Sequence, residues 1–214
     1  MAGADDTGGG RRYGGRSTEE RRAERRARLL DAALDVVGTR GWAEATMTEI
    51  CRVAGLTERY FYESFRTREA LYGALLDDLD RELRAAAFDA IAAGALEPVA
   101  RVEVATRAIV GLYVGDPRRG RAALVEGIGV RELEEQRRRT VAGLFGLLAE
   151  RWTLFFPDSP ISADERRRRA TAIGGATIAL ITGRIEGTLA IDDAALVAAI
   201  VGTTVAIATA PDDG

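Results

Sequence analysis

Residues 57–65 read Thr-Glu-Arg-Tyr-Phe-Tyr-Glu-Ser-Phe and hold four of the thirteen aromatic residues in the chain. Wound as an α-helix, the stretch divides by face: Leu56, Phe61 and Phe65 fall on one side, while Glu58, Arg59 and Tyr62 point away. The outward set has a definite chemistry. Thr57, with the free amides of a helix start, is a natural phosphate site. The Tyr62 phenol can donate a hydrogen bond to a phosphate, and the Arg59 guanidinium can grip a guanine edge through two parallel bonds. Phe61 and Phe65 read as core.

No other segment offers comparable parts. All thirty cationic residues are Arg, and the 214 residues include no Lys, His or Asn. The lack of His removes the commonest general base and metal ligand, and the lack of Lys removes Schiff-base and phosphate-loop chemistry. Cys51 is the single cysteine, so neither an internal disulfide nor a cysteine-rich metal site can form. It is either a buried thiol in a core stripe or a redox switch, and it suits a reducing, cytoplasmic setting. Glu126 and Glu150 are not paired by spacing, and the glycines at 8–10 and 111–120 lack the strand-turn-helix context of a phosphate loop. The chain therefore reads as no enzyme, with no catalytic residue, no metal site and no cofactor.

At 47% hydrophobic and 29% charged, the composition is that of a globular protein rather than a disordered or fibrous one. The net charge of −3 hides a split. Residues 11–68 carry thirteen Arg against nine acids, and residues 69–214 carry seventeen Arg against twenty-two acids. The basic part is the part that holds the aromatic stretch. No apolar signal segment stands at the N-terminus. Residues 194–210 lack charge but are built largely from Ala, Gly and Thr, which favours a buried helix over a membrane partner.

Helices must position the outward side chains. Residues 1–16 are Gly-rich and without hydrophobic period, a disordered basic arm carrying Arg11, Arg12 and Arg16. Ser17 or Thr18 caps an amphipathic helix from Thr18 to about Val37, ended by Gly38 and Gly41. Its arginines form either a solvated face or a DNA-reaching one. Thr46-Met47-Thr48-Glu49 forms a capping box for a short helix that Gly55 stops, and Thr57 caps the next, with Leu56 stapled on Phe61. Two short helices joined by a Gly-centred turn make a helix-turn-helix. Thr67 starts a long helix from Glu69 to about Ala93, and further helical periods cover 99–114, 118–127, 130–156, 162–187 and 192–208. No strand pattern or internal repeat is present.

The order of these parts resembles the TetR family of bacterial transcriptional regulators. The run from Thr46 to Leu71 carries the resemblance: a Thr-capped helix, the Ala54-Gly55-Leu56-Thr57 turn, an aromatic helix with Tyr60 and Tyr62, then Phe65 and Thr67-Arg68-Glu69. It covers about residues 20–72; beyond them, length and helicity alone agree. Arg59-Tyr60 departs from the small pair usual in the family, and Ser64 from a frequent His.

The resemblance implies an all-α protein, with a three-helix helix-turn-helix DNA-binding domain over 17–66 and a helical ligand-binding and dimerisation domain over 67–214. It places Thr57, Arg59, Tyr60 and Tyr62 on the DNA-facing side, with Thr46, Arg68 and Arg16 of the arm as further DNA contacts; the Tyr60 ring could instead pack on the first helix. It implies a homodimer on double-stranded DNA, its two recognition helices entering successive major grooves of a palindromic operator. Ile173, Thr177, Leu180, Ile181 and Arg184 form one stripe for dimerisation, and Leu196, Ile200, Thr203 and Ile207 the other. A small, lipophilic effector would release the repressor from DNA, with Tyr113, Glu126, Phe145, Leu148 and Trp152 as lining candidates that core packing explains equally well. The alternative is a helical protein-interaction module without DNA binding, docking a partner through its aromatic helix.

Overall fold

The computed structural model describes residues 17–92, 97–128 and 130–211. Arg16 and the rest of the arm lie outside the described residues. The described chain has no strand and forms ten α-helices: α1 (Thr18–Arg40), α2 (Met47–Ala54), α3 (Glu58–Ser64), α4 (Arg68–Ala92), α5 (Pro98–Tyr113), α6 (Pro117–Gly120), α7 (Arg131–Glu150), α8 (Trp152–Phe155), α9 (Ala163–Glu186) and α10 (Asp193–Ala208).

The caps set the helix starts. Ser17 closes a full capping box with Glu20, its hydroxyl accepting the Glu20 amide at 3.1 Å. Thr46 accepts the Glu49 amide at 3.2 Å, but the Glu49 carboxylate does not reach back. It is taken by Arg40 at 2.6 Å and Arg52 at 2.7 Å, since charge-assisted bonds outcompete one to a backbone amide.

Three boundaries differ from the periodic reading. α1 does not stop at Gly38 but runs to Arg40, and the chain turns at Gly41 with φ 90°. Gly38 is there for close approach: a Cβ on it would lie 2.5 Å from the Arg118 Cα. The helix expected over 118–127 ends at Gly120, and Arg121–Val125 continues as a single π-helical turn. The long helix expected over 130–156 breaks at Arg151, whose φ of −98° and ψ of 14° are not helical. That break turns Trp152, fully buried, inward to stack against Phe156 with ring centroids 4.8 Å apart.

Two apolar clusters result. The larger runs without interruption from Leu29, Val36 and Phe61 of the helix-turn-helix through Leu71 and Leu75 of α4 to Leu133, Ile181 and Leu196. The smaller joins Val102 and Ala105 of α5 to Trp152, Phe155 and Ile173. Arg169, 6% exposed, ties the C-terminal end down by donating to the Ala208 carbonyl at 3.0 Å and the Ala210 carbonyl at 2.8 Å. No helix among the described residues is long and apolar enough to cross a membrane.

One set of expected positions is corrected by this packing. Ile173, Ile181, Leu196 and Ile200 are buried inside the protomer, so they do not present a surface to a second copy. Thr177, Leu180, Arg184, Thr203 and Ile207 are half-buried. The outward positions of α9 and α10 are instead small: Ala172, Gly175, Ala179, Ala195, Ala198 and Gly202 are exposed. α10 after Asp193, and α9 from Ala170 to Gly183, carry no charged residue, so the helical period marks stripes without saying which stripe faces in. Burial favours the larger side chains, since apolar area removed from water scales with size.

Candidate nucleic-acid interface and inner cavity

The turn between α2 and α3 is built around Gly55, whose φ of 61° lies in the left-handed region that glycine enters at no steric cost. The Leu56 amide closes back on the Cys51 carbonyl at 2.9 Å. α1 secures this turn from behind: the Arg28 guanidinium donates to the Ala54 carbonyl at 2.5 Å and to the Gly55 carbonyl at 3.3 Å.

Phe61 and Phe65 are buried, 1% and 6% exposed, and anchor α3 to the core. Arginines of α1 then hold its flank. Arg25 lies 4.5 Å over the Tyr60 ring and pairs with Glu63 at 3.3 Å. Arg22 donates to the Glu63 carbonyl at 2.8 Å, and Arg26 sits 5.0 Å over the Phe65 ring. Arg22, Arg25 and Arg26 of the first helix are thus not merely solvated: they clamp α3, while Arg28 holds the turn before it. The signal for this was in the sequence, because Arg22, Arg25 and Arg28 recur at steps of three and so share a side of α1.

What remains outward on α3 is a short polar row. The Arg59 side chain is 84% exposed, with only a 3.4 Å contact to Glu63. Tyr62 is 60% exposed, its ring edge-on to Phe61 at 5.7 Å. Thr57 occupies the N-cap position without a side-chain capping bond, and Thr46 is also exposed. Tyr60, half-buried under Arg25, takes the position against the first helix. Arg68 is turned away from this row: its guanidinium lies 4.1 Å over the Trp42 ring and 3.7 Å from Glu69. Glu58 is held by the Thr48 hydroxyl at 3.1 Å, joining α2 to α3.

Cys51 is a free, buried thiol. Burial, and then the Glu58 charge, push its pKa up, which disfavours the thiolate that redox chemistry requires. Of its two readings, the buried thiol stands.

A cavity of about 160 Å³ lies between the two apolar clusters, walled by α4, α5, α9 and α10. Tyr113 and Leu148 line it, as anticipated. Glu126 and Trp152 do not: Trp152 is absorbed in the smaller cluster, and the Phe145 side chain lies outside the described residues. Ile173, Thr177, Ile181 and Ile200, anticipated at a dimer interface, line the cavity instead. Burial, with the charges of Asp80 and Glu82 behind it, pushes the Tyr113 phenol above its ordinary pKa, so the ring keeps its proton.

Glu126 has a different task. Its carboxylate accepts the Trp42 amide at 3.0 Å and pairs with Arg121 at 3.0 Å, so the residue after the π-helical turn is fastened to the end of α1. Tyr72 of α4 adds a second tie, donating to the Ala122 carbonyl at 2.5 Å. Leu124 of the same turn lines the cavity.

Residues 29–75, which contain α2, α3 and the turn between them, match the family model described as bacterial regulatory proteins, tetR family. Over 61 residues the chain is 38% identical to the uncharacterized HTH-type transcriptional regulator YdgC of Bacillus subtilis (strain 168). Over residues 29–75 the chain is similar to the TetR family. The match to YdgC spans 28% of this chain and 31% of that relative. The TetR fold extends further than the sequence match. A putative TetR-family transcriptional regulator from Rhodococcus superposes with a TM-score of 0.70 at 17% identity, over 87% of this chain and 100% of that one. The transcriptional regulator FadR from Bacillus subtilis, solved in complex with stearoyl-CoA, gives a TM-score of 0.64 at 17% identity, over 87% and 99%. At such identities the likeness speaks for the TetR architecture of N-terminal helix-turn-helix and C-terminal helical domain.

Proposed function

We propose that this chain is a TetR-family DNA-binding transcriptional regulator that acts as a homodimer and responds to a small molecule held in the inner cavity. The observation that carries the reading is the clamp on α3. Arg22, Arg25 and Arg28 hold the flank and the turn, so that Thr57, Arg59 and Tyr62 stand outward together. In the major groove, Arg59 reads a guanine edge while Thr57 and Tyr62 take phosphates. Thr46 supplies a further contact at the start of α2. Tyr60 and Arg68 act from beneath, through Arg25 and Trp42, rather than by touching DNA.

Dimerisation brings two α3 helices to half-sites about one helical turn apart, the spacing that helix-turn-helix dimers read as a palindrome. The small outward residues of α9 and α10 allow four helices to pack closely at that interface. An effector in the cavity touches Leu124 of the π-helical turn, which is tied to the end of α1 through Glu126 and to α4 through Tyr72. A ligand that prefers the DNA-incompetent arrangement releases the operator to the extent of its differential affinity.

The test is retardation and footprinting of the DNA upstream of the protein's own gene. Binding is expected to protect a palindrome and to weaken steeply with salt. Arg59→Ala is expected to abolish selectivity while leaving the dimer intact. Absence of any retardation would favour a helical protein-interaction module instead.

A further inference from the structure

We infer that the inner cavity takes a compact, uncharged, largely apolar molecule of one or two fused rings, and excludes long acyl chains. The inference rests on the effector reading above and narrows it to a ligand class.

Size comes first. The cavity measures about 160 Å³. A dry apolar cavity of about 150 Å³ is known to hold one benzene. A stearoyl chain carries several times as many carbons as benzene, and the bulk of the space it needs is filled here by side chains. Ile173 and Phe155, buried in the smaller cluster, and Ile181 and Ile200, buried in the larger, form part of the cavity wall.

The walls decide the rest. Aliphatic and aromatic side chains dominate the lining, and two of its hydroxyls are already spent on their own helices. Thr106 donates to the Val102 carbonyl at 2.7 Å, and Thr177 to the Ile173 carbonyl at 2.9 Å. The Arg84 guanidinium, one of two at the cavity, is engaged by Asp80 at 2.7 Å, so a ligand carboxylate must compete with a carboxylate already in place. Desolvating an ionised ligand in such surroundings is costly, whereas a neutral ring meets complementary apolar walls.

Isothermal titration of the full chain with indole, benzoate and stearoyl-CoA tests this. Indole is expected to bind about tenfold or more tightly than benzoate, a ring of similar size that carries a charge. Stearoyl-CoA is expected not to bind. Ala105→Phe, which fills the cavity from α5, is expected to lose indole binding while keeping its helical circular dichroism; should it unfold, Ile178→Phe on α9 fills the same space. Equal or tighter binding of benzoate or stearoyl-CoA overturns the inference, as does no binding of indole. Indole binding that survives in the filled variants places the ligand elsewhere and overturns it too. Gel retardation by the ligand-free chain reads DNA binding separately, so a failure there leaves the ligand class standing and removes the regulator reading alone.

Discussion

The Glu126 carboxylate accepts the Trp42 amide at 3.0 Å across eighty-four residues of sequence, joining the end of the first helix to the turn that borders the inner cavity. Glu126 therefore sits at a joint between the helix-turn-helix and the helical domain, and the same carboxylate holds Arg121. Glu126→Ala leaves the Trp42 amide without its partner, and Trp42 is only 6% exposed. The expected loss is about 1–3 kcal/mol, the usual cost of orphaning a buried donor, measured by urea denaturation. Glu126→Gln keeps an acceptor for the amide and is expected to lose less than half as much. Equal losses in the two variants would assign the effect to the Arg121 ion pair instead.

Gly38 poses two opposed effects. Alanine in a helix interior is worth about 0.5–1 kcal/mol over glycine. Against that gain, a Cβ here would lie 2.5 Å from the Arg118 Cα, a backbone atom that cannot rotate aside. Overpacking costs about 1–3 kcal/mol, and a backbone clash belongs at the upper end. Gly38→Ala is expected to lower stability, read as a decrease in the urea midpoint; an increase would mean that α1 and α6 separate readily.

Arg25 and Arg59 flank the same helix and should fail in different ways. Arg25→Ala removes the cation over Tyr60 and the pair with Glu63, so a stability loss of about 0.5–2 kcal/mol is expected. DNA affinity should fall with it while sequence preference survives, because the outward row is loosened rather than changed. Arg59, 84% exposed, should show the reverse: unchanged melting temperature and lost preference. Measuring both variants by thermal melt and competition retardation separates support from contact.

Acid sensitivity should trace to Glu49. Hydrogen bonds from Arg52, and then from Arg40, lower its pKa from 4.5 to about 2. A carboxylate with a depressed folded pKa contributes stability that is fully present above 4.5 and is lost as pH falls toward about 2. Glu49→Gln should therefore flatten the urea midpoint against pH on the acid side of that window and change little at neutral pH beyond a constant offset. An unchanged acid limb in Glu49→Gln would show that other carboxylates govern it. Salt should weaken the effect in the parent protein, since the pair is at the surface.

Much of the frame was legible in sequence. Ser17 and Thr46 each cap the helix that follows, and Phe61 and Phe65 lie in the core where helical spacing puts them. Such features depend on residues three or four apart, and local geometry decides them. The break at Arg151 was not legible, because the burial of Trp152 in the smaller cluster, which draws the chain out of helix, involves partners far away in sequence. The tasks of Arg25, Arg68 and Glu126 were hidden for the same reason: the first ends on α3, the second on Trp42, the third on the end of α1.

The sequence by itself determined that the chain is all helical, where the helix-turn-helix lies, and which side chains of its last helix face out. Only the tertiary structure decided that Ile173, Ile181 and Ile200 turn inward to line a cavity, that Arg22, Arg25 and Arg26 clamp α3, and that Glu126 ties the end of α1 to the π-helical turn. A cap or a helical stripe is a property of neighbours along one chain segment. Which stripe is buried, and which charge finds which partner, depends on how segments distant in sequence share a fixed volume, and close packing admits one answer where the local pattern allows several.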